Sequence, residues 1–118
     1  MITMYHNPRC SKSREAYALL EAAHAAGGDA VTVIDYLKTP PTLDELKRLH
    51  KLLGVPVREM LRDGEDEYNT LGLADGSLAD DALLAAVAAH PKLLQRPIVV
   101  HGKRAVIARP PERVREVL

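Results

Sequence analysis

The sequence predicts an α/β fold: a βαβ unit, a helical middle, and a closing pair of strands with a helix. Three observations predict it. Two apolar runs, residues 2–5 and 31–34, flank a stretch of helical periodicity, and that spacing suits two parallel strands joined by a right-handed crossover. Residues 42–90 repeat leucine and alanine at helical intervals. Residues 98–107 return to two strand-like runs around Gly102, the pattern of an antiparallel hairpin.

Taken in order, the first strand stops at the turn-forming His6-Asn7-Pro8. A helix is expected over 11–26, because Ala16, Leu19, Leu20 and Ala23 recur on one face and Gly27-Gly28 ends the pattern. The second strand, Val31-Thr32-Val33-Ile34, follows. After Pro40-Pro41, Thr42 and Glu45 form a capping box, Leu43, Leu46, Leu49 and Leu53 make a buried stripe, and Gly54 closes the helix. A short helical stretch is expected over 57–61 and a polar, acidic loop over 63–68. A further helix over 79–90 carries Asp80 and Asp81 in its first turn, where negative charge suits the helix dipole, and stops at Pro91. Strands at 98–100 and 105–107 follow. Pro110-Pro111 then opens a terminal helix with Val114, Val117 and Leu118 on one side.

A chain of 118 residues that is 47% hydrophobic, with its eight prolines and seven glycines dispersed, reads as one globular domain, residues 1–118. Tyrosine is the only aromatic residue, so the core must be aliphatic and offers no platform for stacking bases. Sixteen basic and sixteen acidic residues cancel, which argues against nucleic acid as a partner and makes any anion site local. The apolar start is too short for a signal peptide or a membrane span. A cytoplasmic protein without membrane contact, working as a monomer, is expected.

The single cysteine, Cys10, excludes an internal disulfide and suits a reducing compartment. Many free cysteines are merely buried and inert. Cys10, however, falls between the first strand and the first helix, at the carboxyl edge of a parallel strand, where ligands bind in such sheets. The unpaired N–H groups that open a helix stabilise a thiolate and can hold an oxyanion. His6, Arg9, Lys12 and Arg14 add up to four neighbouring cations, although Lys12 and Arg14 taken alone would read as a solvated helix face. Ser13 stands where dithiol proteins carry a second cysteine, so a resolving thiol must come from another molecule.

The stretch Tyr5-His6-Asn7-Pro8-Arg9-Cys10-Ser11-Lys12-Ser13-Arg14 resembles the active-site segment of the ArsC family, the glutaredoxin-coupled arsenate reductases. The resemblance continues through Tyr36-Leu37-Lys38-Thr39-Pro40-Pro41, Met60-Leu61-Arg62, Leu71-Gly72-Leu73 and His90-Pro91, then Arg96-Pro97-Ile98-Val99-Val100 and Ala108-Arg109-Pro110. It implies a thioredoxin-like fold (βαβ, helical insertion at about 42–91, ββα) with a mixed four-stranded sheet, and a cis peptide before Pro97. It also implies that Cys10 attacks an oxyanion held by Arg62, Arg96 and Arg109, with His6 as the active-site histidine. Ser11, Lys12 and Ser13 join the expected substrate site. Each arginine taken singly reads equally well as a surface cation; guanidinium forks, charged at any working pH, suit a tetrahedral oxyanion.

The resemblance further implies arsenate as substrate, glutathione as co-substrate with no bound cofactor, and glutaredoxin as partner. Arg9 before the cysteine and Ser11-Lys12 after it depart from the better-studied arsenate reductases and suggest a sister group. Two alternatives follow: a glutathione-dependent thiol oxidoreductase with another substrate, and a Spx-like regulator that binds RNA polymerase. Such regulators usually carry a C-x-x-C switch, which Ser13 removes here. His24, His50, His90 and His101 show no ligand spacing, so no metal is expected.

Overall fold

Strand β1 (Ile2–His6) runs parallel to β2 (Val31–Asp35) with Ile2 opposite Val31 and His6 opposite Asp35. On its other side β1 is antiparallel to β3 (Ile98–His101), which pairs in turn with β4 (Arg104–Ile107). The order β2-β1-β3-β4 is therefore a mixed four-stranded sheet. The computed structural model describes all 118 residues, which divide into two compact units, Met1–Thr39 with Arg96–Leu118, and Pro40–Gln95.

In the first unit, alternation along the strands sends Ile2, Met4, Val99 and Val106 to one face of the sheet. There they form a core with Ala16 and Leu20 of helix α1 (Ser11–Ala25), Ala108, Val114 and Val117. Burial of this aliphatic surface contributes roughly 25 cal/mol per Å² removed from water. Helix α1 turns Ser13, Ala16 and Leu20 inward, positions three and four apart on one face. It ends at Gly27-Gly28: Gly27 has φ +104°, and a Cβ on Gly28 would lie 2.9 Å from the Ala23 carbonyl oxygen. Gly102, at φ +63°, makes the tight β3–β4 turn, with His101 paired to Arg104 across it.

The expected terminal helix proves to be a 3₁₀ segment over Pro111–Glu116. Val114 and Val117, three residues apart, line up on one face of a 3₁₀ turn; the Arg96–Pro97 and Arg109–Pro110 bonds are cis. Val114 and Val117 are buried, but Leu118 is exposed and does not belong to that face.

The second unit is helical and contains the stretch read as an insertion. Helix α2 (Leu43–Leu53) is capped by Thr42, whose Oγ1 accepts the Glu45 N–H at 3.2 Å, and closed by Gly54 in the left-handed conformation. Leu46 and Leu49 are its buried residues. A 3₁₀ turn over Val57–Met60 follows. Helix α3 (Asp66–Thr70) then corrects the expectation of an acidic loop. It buries nothing, so no apolar period announces it in the sequence. Helix α4 (Asp80–Ala89) contacts α2 and buries Leu83, Leu84 and Val87, and a 3₁₀ turn over Pro91–Leu93 succeeds it. No helix of the chain is long and apolar enough to cross a membrane.

Candidate active site at the head of the first helix

The sheet register gathers four of the anticipated residues, His6, Cys10, Arg96 and Arg109, at one edge. β1 leaves the sheet at His6 and leads to Cys10. Tyr5 faces Ile98, so Arg96 lies just outside the start of β3 at this edge, and Ile98 faces Ile107, so Arg109 leaves β4 there too. The Arg109 Nη1 donates to the Arg96 carbonyl oxygen at 3.1 Å. Arg96 is half-buried and Arg109 exposed.

The turn between β1 and α1 is held by its own residues. The Cys10 N–H donates to the Asn7 carbonyl and the Arg9 N–H to Asn7 Oδ1, each at 3.0 Å, an Asx turn of the kind the Asn-Pro pair favours. The Asn7 N–H donates to Ser13 Oγ at 3.0 Å, and Arg14 Nη1 donates to the Pro8 carbonyl at 3.0 Å. Ser13 is fully buried, and its Oγ also lies 2.7 Å from His6 Nδ1.

Burial holds the His6 imidazole below its ordinary value of 6.5, Asp35 opposing this and Arg14 reinforcing it. The ring is therefore neutral at pH 7. Ser13 Oγ accepts from Asn7 and has a second lone pair and a proton left for His6 Nδ1, so the imidazole tautomer sets the direction of that bond. The ring also stacks on Tyr17, centroids 5.6 Å apart.

Cys10 is the N-cap of α1, with extended backbone (φ −95°, ψ 123°), and is half-buried. Its thiol makes no side-chain cap bond. Burial opposes ionisation, yet the Ser13 N–H, the Arg96 charge, the Lys12 N–H and the Arg96 guanidinium hydrogen bond together bring the thiol below its ordinary 9.0. The expected ring of four side-chain cations is thus corrected. His6 is neutral, Arg14 is held by Pro8, and the Lys12 ammonium pairs with Glu15 at 3.6 Å. None of these charges is among the groups that shift Cys10, and neither is Arg9. The cation that acts comes from a residue 86 positions away, 96 less 10, which adjacency in sequence could not reveal.

Ser11 and Lys12 are exposed on the first turn of α1. Arg62 belongs to the second unit, where it is half-buried, contacts the Glu65 carboxylate and donates its backbone N–H to the Leu93 carbonyl at 2.8 Å. Sequence reasoning missed Asn7 as the staple of the turn and the pairing of His6 with Ser13. The Asn-Pro turn signal points to the first, whereas the second forms only when strand end and helix start meet. No three His, Cys, Asp or Glu side chains converge as a metal site would require.

A thiolate at a helix head beside a guanidinium is a nucleophile suited to an electrophilic oxyanion. The sequence pattern of the ArsC family matches residues 5–117. An arsenate reductase of Neisseria meningitidis is 48% identical over 118 residues, 99% of this chain and 97% of its own length. The uncharacterized Escherichia coli protein YfgD is 47% identical, over 99% and 96% of the two chains. The solved structure of an arsenate reductase from Vibrio cholerae superimposes with a TM-score of 0.93 at 52% identity, over 99% of this chain and 97% of the other.

Proposed function

Because this chain belongs to the ArsC family, we propose that it is an arsenate reductase, an oxidoreductase whose nucleophile is Cys10. The observation that carries the proposal is the Cys10 sulfur at the head of α1, its anion favoured by the Ser13 and Lys12 amides and by Arg96. In the first step the thiolate attacks arsenic(V): an arsenic–sulfur bond forms, an arsenic–oxygen bond breaks, and the oxygen leaves as water. Arg96 and Arg109 hold the remaining oxygens and the developing charge. The resemblance of Met60-Leu61-Arg62 to the family implies the same role for Arg62.

A glutathione thiol then displaces a second oxygen as water. A thiol of glutaredoxin attacks the glutathione sulfur, a disulfide forms, and the electron pair of the arsenic–sulfur bond passes to arsenic, giving arsenic(III). Hydrolysis of the Cys10–arsenic bond releases arsenite and restores the thiolate. Ser11, Lys12 and Ser13 contribute the helix-opening N–H groups that face the oxyanion. His6 is a positioning residue that acts through the Ser13 hydroxyl. Chemistry of this kind belongs in a reducing compartment such as the cytoplasm, where the thiols are kept available.

The test is arsenite formation from arsenate with glutathione and glutaredoxin supplied. Cys10→Ser is expected to form none. Arg109→Ala and Arg62→Ala, assayed separately, are each expected to lower kcat/KM by about 100-fold. An Arg62→Ala enzyme as fast as wild type would remove Arg62 from the site, and a wild-type enzyme inert toward arsenate would overturn the reading.

A further inference from the structure

A cleft of about 310 Å³ opens beside the turn that carries Cys10, lined by Asn7, Pro8, Arg9, Asp35, Leu37 and Lys38. That volume is at the small end of the roughly 300–1,000 Å³ typical of ligand pockets. The Arg9 guanidinium and the Lys38 ammonium make no ion pair and no side-chain hydrogen bond. Asp35 is fixed in place, its Oδ1 accepting the Leu37 N–H at 3.2 Å and its carbonyl accepting from Lys38 at 3.0 Å and Thr39 at 2.8 Å. Arg9 is held at its backbone by Asn7 and immediately precedes the nucleophile, yet its charge takes no part in ionising the thiol.

The cleft therefore offers two unpaired cations and one carboxylate. A ligand complementary to it carries two carboxylates and one ammonium, which is the charge pattern of glutathione, a tripeptide about 10 Å long when extended. We infer that this cleft binds the glutathione that resolves the Cys10 adduct, Arg9 and Lys38 taking its two carboxylates and Asp35 its ammonium. The inference rests on the reading of Cys10 as a nucleophile discharged by an external thiol. It gives the position before the cysteine a task of its own: Arg9 recruits the second thiol and leaves the first untouched.

The test separates binding from chemistry. S-methylglutathione, whose sulfur cannot react, is titrated by calorimetry into the wild-type chain and into the Arg9→Ala/Lys38→Ala double variant. Two exposed ion pairs of ordinary strength correspond to about a 10-fold loss of affinity, and the wild-type affinity should fall as salt is raised. In the glutaredoxin-coupled assay the double variant should raise KM for glutathione by about 10-fold. KM for arsenate and the rate of Cys10 alkylation by uncharged iodoacetamide should not change. Equal affinity and equal glutathione KM in the two proteins, with arsenite formed normally, would overturn the cleft while leaving the arsenate reading intact. A difference in S-methylglutathione affinity in a protein that forms no arsenite would support the cleft and overturn the arsenate reading.

Discussion

Replacing Arg96 by alanine takes both a charge and a hydrogen bond from the Cys10 sulfur, so the thiol pKa should rise toward its ordinary value. Ultraviolet absorbance of the thiolate against pH checks this; an unchanged titration in Arg96→Ala would mean that the helix amides act alone. His6→Ala should affect the same titration only through Ser13, because the imidazole is neutral and faces the serine hydroxyl. Ser13→Ala removes the buried acceptor of the half-buried Asn7 N–H, a loss of about 1–3 kcal/mol. Urea denaturation measures it, and a change well under that range would show the turn to be held by its other bonds. Cys10 itself was legible from the sequence, as a lone thiol placed where a strand gives way to a helix. Its electrostatic partner was not legible from the residues alone, since Arg96 reaches it only through the β1–β3 pairing, and it was the family resemblance that named Arg96.

Helix α2 illustrates an element written plainly in its sequence, with Thr42, Glu45, a leucine stripe and Gly54 at the required positions. Thr42→Ala removes the acceptor for the Glu45 N–H and should cost about 1 kcal/mol, read as a lower urea midpoint with an unchanged slope; no shift would mean that the cap contributes nothing. Gly54→Ala should also destabilise, because its φ of +66° is unfavourable for a residue with a side chain. Helix α3 escaped notice for an equally physical reason. Five residues with no buried face carry no periodic signal, and helices so short are marginal by themselves. The carboxyl-terminal segment shows the opposite error: Val114 and Val117 are three apart, a spacing that a 3₁₀ turn satisfies as well as an α-helix does.

Across the whole molecule, the sheet is what turns scattered positions into a site, because one register sets the ends of β1, β3 and β4 side by side. The same sheet couples His6 to stability. Its folded pKa lies below 6.5, so below that pH the unfolded chain binds a proton that the native state resists, and stability is present above pH 6.5 and is lost as the pH falls. The urea midpoint of the wild-type protein should therefore drop more between pH 7 and pH 5 than that of His6→Gln; parallel profiles would contradict a neutral His6.

The chain holds a single cysteine, so the proposed turnover needs an external thiol. In the proposed mechanism the arsenic(V) adduct of Cys10 is reduced only when external thiols supply two electrons, and exchange requires the attacking thiol to reach a sulfur along the line of the breaking bond. The most direct measurement is arsenite formed per enzyme molecule, with glutathione and glutaredoxin each left out in turn. The account predicts sustained turnover with both, at most a stoichiometric Cys10 adduct and no arsenite without thiols, and no arsenite in Cys10→Ser. Repeated turnover with no added thiol, or arsenite production by Cys10→Ser, would contradict it.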